Sequence, residues 1–182
     1  MRLKNTESGF GAVTILMHWV VALTIIGMFA SGIYMRSLGY YDSMYQTLPP
    51  IHKGIGVLLF LLIIFRLIWR AINVHPNPLE NHTKAEKIGA KLAHFGLYLL
   101  MLVVMICGYL ISTAKGHGID VFGLFEVPAL IAGGESQGDI AGMIHEYLAY
   151  ALIGLAALHA LGALKHHLID KDRTLLRMIK GE

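Results

Sequence analysis

Four long runs of residues without a charged side chain constrain the fold of this 182-residue chain more than any other feature. The runs cover residues 8–35, 54–65, 92–114 and 147–164. A helix needs about 20 apolar residues to cross a hydrocarbon core of roughly 30 Å. Only helices and closed barrels satisfy their backbone groups in lipid, and long uninterrupted runs favour helices. The sequence therefore predicts an all-α fold, an integral membrane four-helix bundle.

The expected boundaries of the four helices follow from these runs and from the residues that flank them. We expect a single transmembrane domain over residues 1–182, with helices at about 12–35, 51–72, 88–114 and 140–166. The mean hydropathy of +0.60 is high for a soluble domain of this size, which agrees with this interpretation.

The basic residues predict which ends of the helices face the cytoplasm. Twelve of the fifteen Lys and Arg residues fall on one predicted side, and the exceptions are Arg36, Lys53 and Lys115. The positive-inside rule therefore places both termini in the cytoplasm. The basic residues flank apolar segments without forming a patch interleaved with aromatic residues, so no nucleic acid is expected as a partner. Cys107 is the only cysteine, which excludes a disulfide framework and a Cys-x-x-Cys-His site for covalent haem attachment.

Histidines at membrane depth are the main functional signal. Five of the ten histidines lie within or at the ends of apolar runs: His18, His52, His94, His145 and His159. A polar imidazole there needs a partner, so each is a functional candidate. A separation of fourteen residues between His145 and His159 corresponds to about 1400° of turn and about 21 Å of rise in a helix. One face of the last helix thus offers ligands at two depths.

The predicted topology assigns a partner to each of these two ligands. The fourth helix runs from the outside to the inside, so His145 lies at the outer level and His159 at the inner level. The first helix places His18 at the inner level, and the second places His52 at the outer level. We therefore predict two haems stacked along the bilayer normal, with axial ligands His18 and His159 for one and His52 and His145 for the other. Two nitrogen ligands leave no open iron position, which favours one-electron transfer.

Three further residues are candidates for cofactor binding. Arg66 lies fourteen residues after His52 and could meet a haem propionate, or it is an ordinary interfacial arginine. His94 could be a ligand, contact a propionate or line a quinone pocket; we rank it as a non-ligand because the fourth helix supplies one inner histidine. His166 could contact propionates, deliver protons to a reduced quinone or be solvated. No catalytic residue is predicted.

The segment 119–132 is unusually apolar for a loop. We expect it to lie at the membrane interface. Two arrangements are open, a roof over the outer end of the bundle or a helix on the membrane surface.

Several motifs along the chain also resemble those of a known family. They are LMHW at 16–19, IHKGIG at 51–56, the basic segment 66–70, LAH at 92–94, GYLIS at 108–112, HE at 145–146, LH at 158–159, HH at 166–167 and KDRTLLRM at 171–178. Over nearly its whole length the chain resembles the bacterial cytochrome b561 family. The resemblance implies an inner-membrane protein with two haem b groups, ligated by His18, His52, His145 and His159, that exchanges electrons with a membrane quinone such as ubiquinone.

Three functions are carried forward as hypotheses. The first is a transmembrane electron conduit between membrane quinone and a periplasmic electron donor or acceptor. The second is superoxide:ubiquinone oxidoreductase activity at the periplasmic face, known for one branch of the family, where Lys53 and Lys115 would steer the anion; the 121–128 loop resembles another branch. The third is a haem-bearing membrane anchor for a separate periplasmic redox partner. Metal transport is disfavoured because apolar residues separate the two histidine levels. Whether the chain is an enzyme is left open.

Overall fold

The computed structural model describes residues 2–79 and 82–181. Long helices dominate these residues, and one short antiparallel hairpin joins two of them. The elements are α1 (Ala12–Ser37), α2 (Leu48–Ile72), α3 (Lys84–Thr113), β1 (Ile119–Val121), β2 (Phe125–Val127), α4 (Gly134–Leu168) and α5 (Thr174–Lys180). Helices α1 to α4 are each long and apolar enough to cross a membrane. The predicted all-α membrane fold is therefore confirmed.

Local capping signals explain where some helices begin and end. At the start of α3, the Thr83 hydroxyl accepts a hydrogen bond from the Glu86 N–H, and the Glu86 carboxylate accepts one from the Thr83 N–H. This reciprocal capping box starts α3 at Lys84, earlier than the predicted residue 88. Pro50 lies in the first turn of α2, where its missing N–H costs no helical hydrogen bond. Helix α5 ends at Gly181, which has φ 86° and forms a left-handed C-cap.

The outer surfaces of the long helices are apolar. In the most apolar stretch of each helix, only 6–17% of the residues are buried within the protein. Leu16, Leu23, Leu61, Phe95 and Leu158 are each more than 50% exposed. Contiguous apolar surface of this extent is rare on soluble monomers, and it is expected where lipid is the solvent.

The chain divides into two compact units. The terminal unit comprises the described residues of Met1–Ala22, Leu62–Tyr98 and Gly154–Glu182, and the central unit comprises Leu23–Leu61 and Leu99–Ile153. Each unit contains parts of all four long helices. A single domain over the whole chain stays a prediction.

In the terminal unit, hydrogen bonds hold the last helix against the beginning of the chain. The Trp19 Nε1–H donates to the Met178 carbonyl of α5 at 2.7 Å. The Arg177 side chain is buried and donates to the carbonyls of Asn77 and Ser8. These contacts explain why the short, seven-residue α5 is formed, since an isolated helix of that length would be marginal in water.

In the central unit, the segment between α3 and α4 forms a β-hairpin. Its strands pair with Ile119 opposite Val127. The turn places Phe122 at φ 56°, and a Cβ added at Gly54 would lie 2.7 Å from the Phe122 ring. The hairpin turn therefore packs against Gly54 near the start of α2, two residues after His52 in the sequence. The alternative of a membrane-surface helix for this segment is wrong, because the residues between Ile119 and Val127 pair as strands.

Candidate haem-binding sites

Each unit contains one of the two histidine pairs that the sequence predicts. In the terminal unit, the rings of His18 on α1 and His159 on α4 have centroids 6.3 Å apart, with their planes at 66°. In the central unit, the rings of His52 on α2 and His145 on α4 have centroids 6.4 Å apart, with their planes at 69°. The two pairs thus have nearly the same geometry.

This spacing fits two imidazoles that bind one iron from opposite sides. A metal–imidazole bond of about 2.0 Å plus about 1.1 Å from nitrogen to ring centre puts the centroids of two trans ligands about 6.2 Å apart. Both observed separations are within a few tenths of an ångström of this value. The His94 and His159 centroids, at 5.1 Å, are too close for trans ligation of one iron in the same arrangement.

Hydrogen bonds orient both histidines of the central pair. The Ser31 hydroxyl donates to the Met28 carbonyl, so its oxygen accepts from His52 Nδ1–H at 2.9 Å. His145 Nδ1–H donates to the Val104 carbonyl at 2.8 Å. In each ring the proton is on Nδ1, which leaves the Nε2 lone pair free for a metal. A hydrogen bond from the second ring nitrogen is the usual way in which proteins fix a ligating histidine.

Glycines on α3 and α1 leave room around the histidines of the central pair. A Cβ at Gly108 of α3 would lie 3.2 Å from Cε1 of His145, so only glycine allows this approach without displacing the ring. On α1, a Cβ at Gly27 would meet no atom within 4 Å. Gly27 lines a largely apolar cavity of about 360 Å³ beside His52, together with Met28, Ser31 and other residues of α1 and α2. The central unit therefore offers an apolar space next to one of the predicted ligands.

A cation and a third histidine accompany the terminal pair. Arg66 of α2 donates from Nη2 to His18 Nδ1 at 3.0 Å, and its guanidinium carbon lies 5.6 Å from the centroid of the Tyr98 ring. Arg66 therefore contacts two side chains of the terminal unit, and its contact with a haem propionate stays a prediction. His94 of α3 packs against His159. Both residues are among the candidates for cofactor binding that the sequence suggested.

The structure places His166 in another cluster of the terminal unit. Its Nδ1 lies 2.8 Å from Asp170 Oδ2 and 3.0 Å from Asp172 Oδ2, and its ring packs against His82 with centroids 4.5 Å apart. Burial acts to raise the pKa of Asp172, but hydrogen bonds from Thr174 and His82 lower it to about 2. Asp172 is thus an ionised carboxylate at neutral pH. The predicted contact of His166 with a haem propionate or quinone stays a prediction.

Sequence reasoning did not identify His82, Asp170 or Asp172 as site residues. His82 and Asp172 are 90 positions apart, and no local pattern relates them. The one available signal was their placement, since His82 lies two residues before the start of α3 and Asp172 two residues before the start of α5. Only the packing of the terminal unit shows that they meet.

A cavity of the central unit is lined by Lys53 and Lys115, the two lysines that the sequence predicts on the outer side. It has a volume of about 590 Å³, and its lining includes Lys53, Lys115 and His117. Two carboxylates, Glu135 and Asp139, line it as well. Also in the central unit, Arg36 at the end of α1 forms an ion pair with Glu146, which follows His145 on α4.

Comparisons with known proteins agree with the sequence motifs. The model of the family described as "Prokaryotic cytochrome b561" matches residues 9–181. "Cytochrome b561 homolog 2" of Escherichia coli strain K12 is 44% identical over 179 residues, which cover 98% of this chain and 95% of the relative. "Probable superoxide oxidase CybB" of Yersinia pestis is 30% identical over 93% of this chain and 95% of the relative. "Cytochrome b562" of Cereibacter sphaeroides is 29% identical over 96% of this chain and 97% of the relative. The chain therefore belongs to the prokaryotic cytochrome b561 family, and it is a multi-pass bacterial membrane protein of haem b electron transport.

Proposed function

We propose that the chain binds two haem b groups and transfers electrons across the bacterial inner membrane. His18 and His159 would hold one haem in the terminal unit, and His52 and His145 would hold the other in the central unit. The observation that carries the proposal is the ring spacing of 6.3 and 6.4 Å in the two pairs, which matches trans ligation of one iron in each. A haem with two histidine ligands supplies one-electron chemistry without an open iron position.

The residues around the central pair prepare it for ligation. Ser31 and the Val104 carbonyl hold the Nδ1 protons of His52 and His145, so both Nε2 atoms are available without a change of tautomer. Gly108 lets α3 approach His145 closely enough for the Val104 hydrogen bond. These contacts make the central pair a preorganised ligand set.

In the terminal unit, Arg66 forms a hydrogen bond with His18 that fixes which ring nitrogen carries the proton. A guanidinium only donates hydrogen bonds, so His18 Nδ1 carries no proton in the contact with Arg66. If His18 held a haem iron through Nε2, its imidazole proton would be on Nδ1, and the guanidinium would need another acceptor. A haem propionate, one of the two roles that the sequence left open for Arg66, is the acceptor we propose. His94, adjacent to His159, would contact a propionate or line a quinone pocket.

Membrane quinone, such as ubiquinone, is the proposed electron partner inside the bilayer, with a periplasmic donor or acceptor on the other side. The orientation rests on the basic residues, which put both termini in the cytoplasm. The direction of electron flow follows from the potentials of the partners and is not part of the proposal.

Haem content of single-histidine variants tests the proposal. The purified protein should contain about two low-spin haems per chain. His18→Ala and His159→Ala should lose one and the same haem, and His52→Ala and His145→Ala should lose the other. His75→Ala, at an exposed loop histidine, is the matched control and should keep both. One haem per wild-type chain would refute the proposal, and loss of a whole haem in His94→Ala would show that His94 is a ligand.

A second candidate function is superoxide:ubiquinone oxidoreductase activity at the periplasmic face. The name of the Yersinia relative and the lysines in the polar cavity of the central unit favour it. Lys53 and Lys115 would attract the anion, whereas Glu135 and Asp139 would oppose it. A superoxide pulse should reduce the haems rapidly, and the double change of Lys53 and Lys115 to Gln should slow that reduction at low ionic strength. An unreduced wild-type protein would reject this function.

The third hypothesis, a haem-bearing membrane anchor, differs in what the isolated protein can do. An electron conduit exchanges electrons with quinone when it is purified alone. An anchor does so only when its periplasmic redox partner is added. Reduction of the haems by a soluble quinol analogue in the absence of other proteins separates the two.

A further inference from the structure

A cluster of histidine and aspartate side chains lies apart from the candidate haem ligands within the terminal unit. His82 precedes α3, His166 lies in the last turn of α4, and Asp172 precedes α5. One ligand atom from each, the His82 Nε2, the His166 Nδ1 and an Asp172 oxygen, all lie within 4.8 Å of one another. The proposed haem ligands include none of these three residues.

We propose that His82, His166 and Asp172 form a binding site for a divalent transition-metal ion of the zinc class. Two imidazoles and a carboxylate make up the nitrogen and oxygen ligand set that zinc favours in proteins. The site would join the start of α3, the end of α4 and the start of α5.

The distances between ligand atoms are close to those that a metal requires. His82 Nε2 and His166 Nδ1 lie 2.9 and 3.0 Å from the same oxygen, Asp172 Oδ2. With zinc–ligand bonds of about 2.0–2.1 Å, the ligand atoms of a tetrahedral site are about 3.3 Å apart. The two separations between histidine nitrogen and aspartate oxygen are therefore within a few tenths of an ångström of this value, and the two histidine nitrogens lie within 4.8 Å of each other.

The buried Nδ1 of His166 points to a missing partner. Among the residues that the structure describes, this atom makes no hydrogen bond, although carboxylate oxygens of Asp170 and Asp172 lie within 3.0 Å. The two contacts lack the angle of a hydrogen bond, so proximity alone does not satisfy the nitrogen. A cation shared by this nitrogen and the carboxylates would satisfy it. The Asp172 side chain is only 5% exposed, and such a buried carboxylate also gains from a cation.

Two overlapping groups of residues could hold a metal ion, and the contacts of Lys165 favour the group that contains His82. Glu86, His166 and Asp170 also bring ligand atoms close together. However, Lys165 Nζ lies 2.6 Å from Glu86 Oε1 and 2.7 Å from Asp170 Oδ2, so an ammonium group already neutralises those carboxylates. Within the described ranges no lysine forms an ion pair with the His82 group, and water could complete its coordination.

Zinc binding to the haem-loaded protein tests the proposal. The protein is freed of its purification tag and of adventitious metal, then titrated with Zn²⁺ alone in detergent, and bound zinc is measured after dialysis. Haem loading matters because free ligand histidines would themselves bind zinc. We expect about one zinc per chain in the wild type and in the His75→Ala control. His82→Ala, His166→Ala and Asp172→Asn should each weaken binding at least 10-fold, since even losses outside the coordination shell cost about that much.

Thermal stability provides a second readout. At a zinc concentration 100-fold above its Kd, the apparent Tm of the wild type should rise by about 5–10 °C, and the three variants should not respond. A variant that fails to bind haem is replaced by His82→Gln or His166→Gln, which keeps a polar side chain. Less than one-fifth of a zinc per wild-type chain would overturn the proposal. Unchanged zinc affinity in His82→Ala and His166→Ala would overturn it equally.

Discussion

The close approach of α3 to His145 at Gly108 leads to a prediction in which two opposite effects can be separated. Replacing Gly108 by Ala favours the helix itself by about 1 kcal/mol, because alanine loses less backbone entropy. The added methyl group would lie 3.2 Å from Cε1 and 3.4 Å from Nδ1 of His145. Carbon atoms prefer separations of about 3.5–4.0 Å, so the ring must move by about 0.3–0.8 Å. Overall stability should therefore hold or rise while the histidine site is damaged.

The displaced ring puts the hydrogen bond to Val104 at risk. That bond is 2.8 Å long, and a shift of this size along it gives about 3.1–3.6 Å, close to or beyond the normal limit of about 3.2 Å. Losing it costs about 0.5–1.5 kcal/mol, which corresponds to about 2- to 10-fold weaker binding of the haem at His52 and His145. The other haem should be unaffected.

The assay measures one haem at a time. In a His18→Ala background, where only the central-unit haem remains, haem transfer to an excess of a haem-accepting protein reports its affinity. Gly89→Ala is the matched control, because Gly89 lies on the same helix and its added Cβ meets no atom within 4 Å. If Gly108→Ala and Gly89→Ala release haem at the same rate, the packing argument is refuted.

Three further substitutions probe the polar contacts around the two histidine pairs and the last helix. Ser31→Ala leaves the Nδ1–H of His52 without its acceptor, and haem affinity in the central unit should fall by about 10- to 100-fold. Arg66→Gln removes a cation beside the terminal pair, so the midpoint potential of that haem should fall in a redox titration, because a nearby positive charge favours the reduced iron. Trp19→Phe removes the hydrogen bond to the Met178 carbonyl, at a cost of about 0.5–1.5 kcal/mol, and should speed proteolysis of α5.

Matched controls exist for these three changes. Ser37→Ala removes a hydroxyl from the same helix whose one hydrogen bond, among residues 2–79 and 82–181, goes to the Tyr34 carbonyl. This change should leave haem binding intact. In Arg66→Gln, the haem of the central unit is the internal reference, and an equal change in both potentials would contradict the assignment. Trp69→Phe also removes an indole hydrogen bond, but that bond goes to the Thr14 hydroxyl and does not involve α5. If α5 is cleaved equally fast in both tryptophan variants, the role of Trp19 is refuted.

Helical periodicity explains how far the sequence alone determines the candidate haem sites. The apolar runs predict the four helices, and alternating helix direction then pairs His18 with His159 and His52 with His145. These inferences need only the rise and turn of a helix, which are properties of the backbone and do not depend on the neighbouring helices. The family resemblance could be recognised in the same way, from short motifs in the chain.

The individual side-chain contacts depend on how each helix is rotated and shifted relative to its neighbours. Helical periodicity in the sequence does not determine that rotation or shift. The tertiary structure decided that Ser31 accepts from His52, that Gly108 lies against the His145 ring, and that residues 119–127 form a hairpin. It also decided that His82 and Asp172 meet, although 90 residues separate them. A side-chain contact requires placement to within about 0.5 Å, whereas a hydrophobic pattern locates a helix face only to within a fraction of a turn.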